Sequence, residues 1–148
     1  MTAFVTAGAG FLLAVLWFDL MFDVQARGHR GELPAPALDS ITAYYGRVTG
    51  TARPMNLLIA LVMVATLAAA VIQLARNEAP TWVSVATLGL GGGGIALAGA
   101  HTVPRATRLG SGRDDAVERS RLARSVLADH VVCGAAIAAV VAIQLAFA

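Results

Sequence analysis

The sequence predicts an all-α fold, a four-helix transmembrane bundle that takes up residues 1–148 as one membrane domain. Composition is the first reason: 57% of residues are apolar, 14% are charged and the mean hydropathy is +0.71, values that suit lipid as the main solvent and not water. The second is length. A crossing helix needs about 20 mostly apolar residues, and segments near 3–24, 55–75, 82–100 and the apolar part of 115–147 supply them. The third is that no short alternating strands occur, as a membrane barrel would require, so helices that satisfy their own backbone in lipid are the expected answer.

The first segment carries no Lys or Arg ahead of it and no small-residue cleavage site after it, so it reads as a retained span and not as a signal peptide. In the connection that follows, Pro34 and Pro36 precede Leu38, Ile41, Tyr45 and Val48 at helical spacing, which predicts a short amphipathic helix over 37–48 lying on the inner membrane surface. The second span is entered through Arg53 and Asn56. The third begins at Trp82, is loosened by Gly91 to Gly94, and ends near His101. That glycine tract follows no strand, so it is not a phosphate-cradling loop; it favours a kink or a cavity beside the helix. Asp115 with Glu118 three residues on has the pattern of a capping box, so the fourth helix starts in water and enters the bilayer near Asp129.

Orientation follows from arginine, which supplies all eleven basic residues. Arg27, Arg30, Arg47 and Arg53 lie between spans one and two, and Arg105, Arg108, Arg113, Arg119, Arg121 and Arg124 between spans three and four, against Arg76 alone in the second connection. The positive-inside rule places both termini outside and the arginine-rich connections in the cytoplasm, as a multi-pass protein of a bacterial inner membrane. Arginine without lysine points to a GC-rich bacterium by association. The net charge of +2 has no water-exposed basic surface behind it, so nucleic acid is excluded as a partner. Cys133 is the only cysteine, which rules out an intramolecular disulfide and a thiolate cluster. It reads as a small buried hydrophobe, and His29 as a solvated loop residue.

The ionisable residues of the spans collect at one depth. Asp19 and Asp23 are four apart and share a helix face, His101 closes span three, and Asp129 with His130 opens the apolar part of span four. Carboxylates in hydrocarbon cost about 2.5–3.5 kcal/mol at the bilayer centre, so each needs a partner. Two readings stand side by side. In the structural one, Asp19 and Asp23 pair with Arg53, Arg105 or Arg124 and lock the helix ends. In the chemical one, His130 and His101 act as bases or ligands, Asp19 and Asp23 orient them or bind a metal, and arginine side chains stabilise an anion. His101, His130, Asp19 and Asp23 are also the donor types that iron, manganese, copper or zinc accept, although no His-x-x-x-His or Glu-x-x-His pair lies on one helix; no cofactor or one transition metal are both open.

The order of Trp17, Phe18 and Asp19 at the end of span one, Pro54, Met55, Asn56 and Leu57 at the start of span two, and Thr102, Val103, Pro104, Arg108 and Leu109 after span three resembles the small anthrone-oxygenase-like membrane proteins. The resemblance covers most of the chain. It implies a four-helix bundle and oxidation of a lipophilic, aromatic or polyketide-like substrate by dioxygen, with or without an added cofactor. It also implies His130 as the base, an aspartate (Asp129, Asp19 or Asp23) setting its tautomer, and His101 with Arg105 on the oxyanion. The competing class is a non-catalytic accessory or scaffold subunit, whose small-residue faces dock onto a second copy or a larger membrane complex.

Overall fold

Four helices long and apolar enough to cross a membrane run over Thr2–Ala26, Pro54–Ala75, Thr81–Gly110 and Ala116–Phe147. The computed structural model describes the backbone of all 148 residues and every side chain except that of Arg53. In chain order, α1 covers Thr2–Asp23 and tightens into a 3-10 turn at Val24–Ala26; α2 covers Ala35–Gly46 and widens into a π segment at Arg47–Thr51; α3 covers Arg53–Ala75. Helix α4 covers Thr81–Leu97, passes through a π segment at Ala98–Thr102 and continues as α5, Val103–Gly110; α6 covers Ala116–Phe147. No strand occurs among the described residues.

Each helix packs on its sequence or ring neighbours, α1 on α3 and α6, and α4 on α3 and α6, while the diagonal pairs α1/α4 and α3/α6 stay apart. A square bundle of this kind leaves room along its axis unless side chains fill it. Two cores fill it in part. Val5, Ala9, Leu12, Ala69, Ala70, Ile137 and Val140 pack the half away from the arginines. Leu33, Leu38, Ile41, Tyr45, Leu109, Leu122 and Val126 pack the arginine-rich end. The outer surface is the inverse of a water-soluble protein: Phe4, Trp17, Leu57, Leu61, Val64 and Leu145 all face outward, as helices solvated by lipid do.

Two expectations are corrected. Helix α2 does not lay its apolar face on a membrane surface: Leu38, Ile41 and Tyr45 are buried against α5 and α6, so the helix plugs the bundle end. The approach is closest at Gly110, where a β-carbon would sit 2.5 Å from the Tyr45 carbonyl carbon and 2.6 Å from the Gly46 nitrogen. The helix that carries the third span does not end near residue 100 but continues to Gly110. Pro104 lacks the N–H that an unbroken α-helix would donate to the Ala100 carbonyl, and the π turn just before it accommodates the loss. At the start of α6 the Asp115 carboxylate accepts the Glu118 N–H at 2.8 Å. The second arm of the box is absent, because Glu118 holds Arg121 instead at 2.7 Å.

At the end away from the arginines the axis is closed by a buried amide pair that spans the α3/α6 diagonal. Gln73 and Gln144 exchange N–H···O bonds of 3.0 Å, and their remaining hydrogens go to Thr2 at 2.9 Å and Thr87 at 2.8 Å, so four helices are tied at one depth. Every amide hydrogen is used, the condition under which a buried polar network stabilises. Gln144→Leu strands the Gln73 amide and is expected to lower stability by about 1 to 3 kcal/mol. Thermal unfolding in detergent checks this, and the double Gln73→Leu, Gln144→Leu variant, which removes both polar groups, should recover part of the loss.

Candidate active site

Between the two cores lies a cavity of about 380 Å³, bordered by α1, α3, α4, α5 and α6 and by the end of α2 with the segment that follows it. Leu12, Leu16, Ile59, Met63, Ile95 and Ile137 are among its apolar wall residues, and its polar groups include those of Asp19, Tyr45, Asn56, Thr102 and His130. Gly94, the last glycine of the tract, borders it, and a β-carbon there would meet nothing within 4 Å.

The carboxylates of α1 point inward on one face because they are one turn apart, and α2 supplies a tyrosine for each. Tyr44 donates to Asp19 Oδ1 at 2.6 Å and Tyr45 to Asp23 Oδ1 at 2.6 Å. Tyr44 is held in place by a parallel stack on Phe22, with ring centroids 4.0 Å apart. Burial, and next the hydrogen bond to Asp19, pushes the Tyr44 phenol above its ordinary pKa; burial and the charge of Asp23 do the same to Tyr45. Both phenols therefore stay protonated donors across the physiological pH range.

His130 enters from α6. Its Nδ1 lies 2.6 Å from Asp23 Oδ2 and 3.4 Å from the Tyr45 oxygen. With Tyr45 donating to Oδ1, the Asp23 carboxylate accepts at Oδ2, so Nδ1 is the donor of this pair and, in the neutral imidazole, Nε2 is the nitrogen that keeps a lone pair. Nε2 stands 3.9 Å from Asp19 Oδ2, beyond hydrogen-bond reach, with both residues on the cavity wall. The result is an imidazole of fixed tautomer, backed by a satisfied carboxylate, whose other nitrogen is at the edge of an apolar chamber.

A second imidazole–carboxylate pair sits beside it and is separate. His101 Nδ1 lies 2.5 Å from Asp129 Oδ2, which also accepts from Thr102 at 3.1 Å, and the Arg105 guanidinium contacts the same His101 nitrogen. Consecutive residues 101 and 102 reach one oxygen because the π segment widens the turn that carries them.

The six residues singled out from the sequence thus fall into two groups. Asp19, Asp23 and His130 come together, with Asp19 and His130 on the cavity; His101, Asp129 and Arg105 come together and none of the three borders it. Asp129, next to His130 in the chain, does not orient it, and His101 with Arg105 is not placed on an anion in the cavity. Nor do Asp19 and Asp23 pair with Arg105 or Arg124, which go to His101 and to the Gly31 carbonyl at 2.6 Å; the Arg53 side chain lies outside the described residues. Two imidazoles that each spend Nδ1 on a different aspartate do not share a centre. Among the described residues no group of three or more His, Cys, Asp or Glu side chains is arranged to hold a metal ion, which separates the set His101, His130, Asp19 and Asp23.

Tyr44, Tyr45 and Thr102 are the partners that sequence reasoning missed. The available signal was two adjacent tyrosines in a helix at the depth of two otherwise unpaired carboxylates. Cys133 borders the cavity with its thiol 3.6 Å from the Gly94 carbonyl, and His29 is exposed in the first connection. No family model, no curated protein and no solved structure matches this chain.

Proposed function

We propose that this protein is a membrane-embedded, oxygenase-like enzyme that deprotonates a lipophilic aromatic or polyketide-like molecule in the cavity and lets dioxygen oxidise the resulting carbanion. The observation that carries the reading is the buried Asp23–His130 pair with Nε2 of the imidazole unpaired at the edge of an apolar chamber. A volume of about 380 Å³ is at the small end of the roughly 300–1,000 Å³ that small-molecule sites occupy.

His130 takes a proton from an activated CH₂ through Nε2, and Asp23 and Asp19 stabilise the imidazolium that forms. The enolate oxygen needs a donor. Asn56 is suited to this, since one of its amide hydrogens goes to the Val48 carbonyl at 2.7 Å and the other is unspent. Dioxygen accepts the electrons, and the net change is CH₂ plus O₂ to C=O plus H₂O. In the same reading the arginine-rich end faces the cytoplasm of a bacterial cell, on the strength of the arginine distribution.

Anthrone is the probe. Purified protein in detergent should raise oxygen uptake with anthrone above the protein-free rate, and His130→Ala should remove about 10²- to 10⁴-fold of that acceleration, the usual worth of a positioned base, while anthrone still binds. Wild-type protein that binds anthrone without turnover would point to a carrier. Unaltered turnover in His130→Ala would take the imidazole out of the chemistry.

A further inference from the structure

A second concave region lies on the outside of the bundle, on the side of α1 away from Asp19 and Asp23. It is a groove of about 630 Å³ between α1 and α6, lined by Trp17, Leu20, Met21, Val24, Leu127 and Val131, with Arg27 at one end. Apart from Arg27 its walls are wholly apolar. Trp17 is 68% exposed and Val131 53%, so no part of the chain covers them. Arg76, Arg108, Arg119 and Arg121 have carboxylate partners, whereas Arg27, like Arg30, Arg47, Arg105, Arg113 and Arg124, has none among the described residues, and of these Arg27 is the one that lines the groove. Arg27 follows the 3-10 turn that ends α1, at the arginine-rich end of the bundle.

We infer that this groove is a binding site for an anionic phospholipid, with one acyl chain along Trp17, Met21 and Val131 and the phosphate on Arg27. The shape and the charge agree on this occupant. An apolar groove open to the surrounding hydrocarbon takes a flexible chain, and a single guanidinium at the arginine-rich end of the helix takes the phosphate. A peptide would leave backbone polar groups unsatisfied against these walls, and a zwitterionic lipid would present Arg27 with a net-neutral headgroup. The placement also matters for the interior. The groove spans the α1–α6 seam, the same seam that Asp23 and His130 bridge from within, so a seated lipid clamps from outside the contact that fixes the His130 tautomer.

Trp17 is a built-in reporter once Trp82 is changed to Phe. This single-tryptophan protein would be placed in phosphatidylcholine vesicles containing a minor fraction of either dibrominated phosphatidylglycerol or dibrominated phosphatidylcholine. Expected is preferential quenching of Trp17 by the brominated anionic lipid, with an apparent preference of about five-fold, the factor that corresponds to the ~1 kcal/mol an arginine contributes near an anionic surface. Arg27→Gln should abolish the preference and Arg27→Lys should keep it. Arg113→Gln, which removes the same charge elsewhere at that end, should leave it unchanged. Val131→Phe, which fills the trough and spares Arg27, should reduce quenching by both lipids. Equal quenching by the two lipids, a preference that survives Arg27→Gln, or one lost equally in Arg113→Gln would overturn the site. None of these readouts depends on turnover.

Discussion

If the protein oxidises anthrone as proposed, Asp23→Asn is expected to lower that turnover by about 10²- to 10⁴-fold with little change in anthrone binding or in the folded state. The substitution keeps shape and Tyr45's hydrogen bond, since an amide oxygen at Oδ1 accepts from the phenol as the carboxylate did. What changes is the atom facing His130. The amide nitrogen donates where Oδ2 accepted at 2.6 Å, so Nδ1 must become the acceptor and the proton moves to Nε2, the nitrogen that was free to act as a base. The imidazole then sits in the correct place in the wrong tautomer. The measurement is kcat beside the anthrone dissociation constant, with nitrogen NMR of labelled histidine to read the tautomer. Asp129→Asn serves as the comparison: its partner is His101, outside the cavity, so its effect on kcat should be much smaller. Equal losses in the two variants would mean that Asp23 has no special role as the orienting carboxylate.

Gly110→Ala is expected to destabilise the protein by about 1 to 3 kcal/mol or more and to reduce turnover with it. The added β-carbon meets only backbone: the Tyr45 carbonyl carbon at 2.5 Å, the Gly46 nitrogen at 2.6 Å and the Tyr45 carbonyl oxygen at 2.8 Å. No rotamer change relieves such a contact, so α2 has to move away from α5 and carry Tyr44 and Tyr45 with it. Asp19 and Asp23 then lose the phenols that satisfy them. Gly92→Ala is the control with the opposite sign. Its β-carbon would meet nothing within 4 Å, and replacing a helical glycine by alanine gains roughly 0.5–1 kcal/mol. Thermal unfolding of the two variants in one detergent tests both. A stable Gly110→Ala protein with normal turnover would mean that α2 is not held at this crossing.

The contrast between those two glycines marks where sequence reading gave out. Small residues permit close helix contact without specifying it: no neighbour within 4 Å restricts a β-carbon at Gly92 or Gly93, in the tract that reads as favouring a kink or a cavity, whereas one at Gly8 meets the Thr66 side chain and one at Gly110 meets the backbone of Tyr45 and Gly46. A glycine reports that its own helix can be approached and carries no information about whether another helix arrives. The apolar stripe of α2 is a similar case. Leu38, Ile41 and Tyr45 at helical spacing define a buried face, but the same stripe serves a membrane surface or a bundle end equally well, and packing on α5 and α6 selects the second.

Membrane-crossing character was legible from the sequence, because apolar length and backbone self-satisfaction are properties of each segment taken alone. The shared face of Asp19 and Asp23 was equally local, one turn of helix apart. Which carboxylate serves which imidazole was decided only by the tertiary structure. Asp129 and His130 are neighbours in the chain, but successive residues of a helix point about 100° apart, so Asp129 turns to His101 in the π segment after α4 while His130 turns to α1 and Asp23. Chain order sets the depth of a side chain in a bundle; the direction in which it points, and hence its partner, depends on how the helices are rotated against one another.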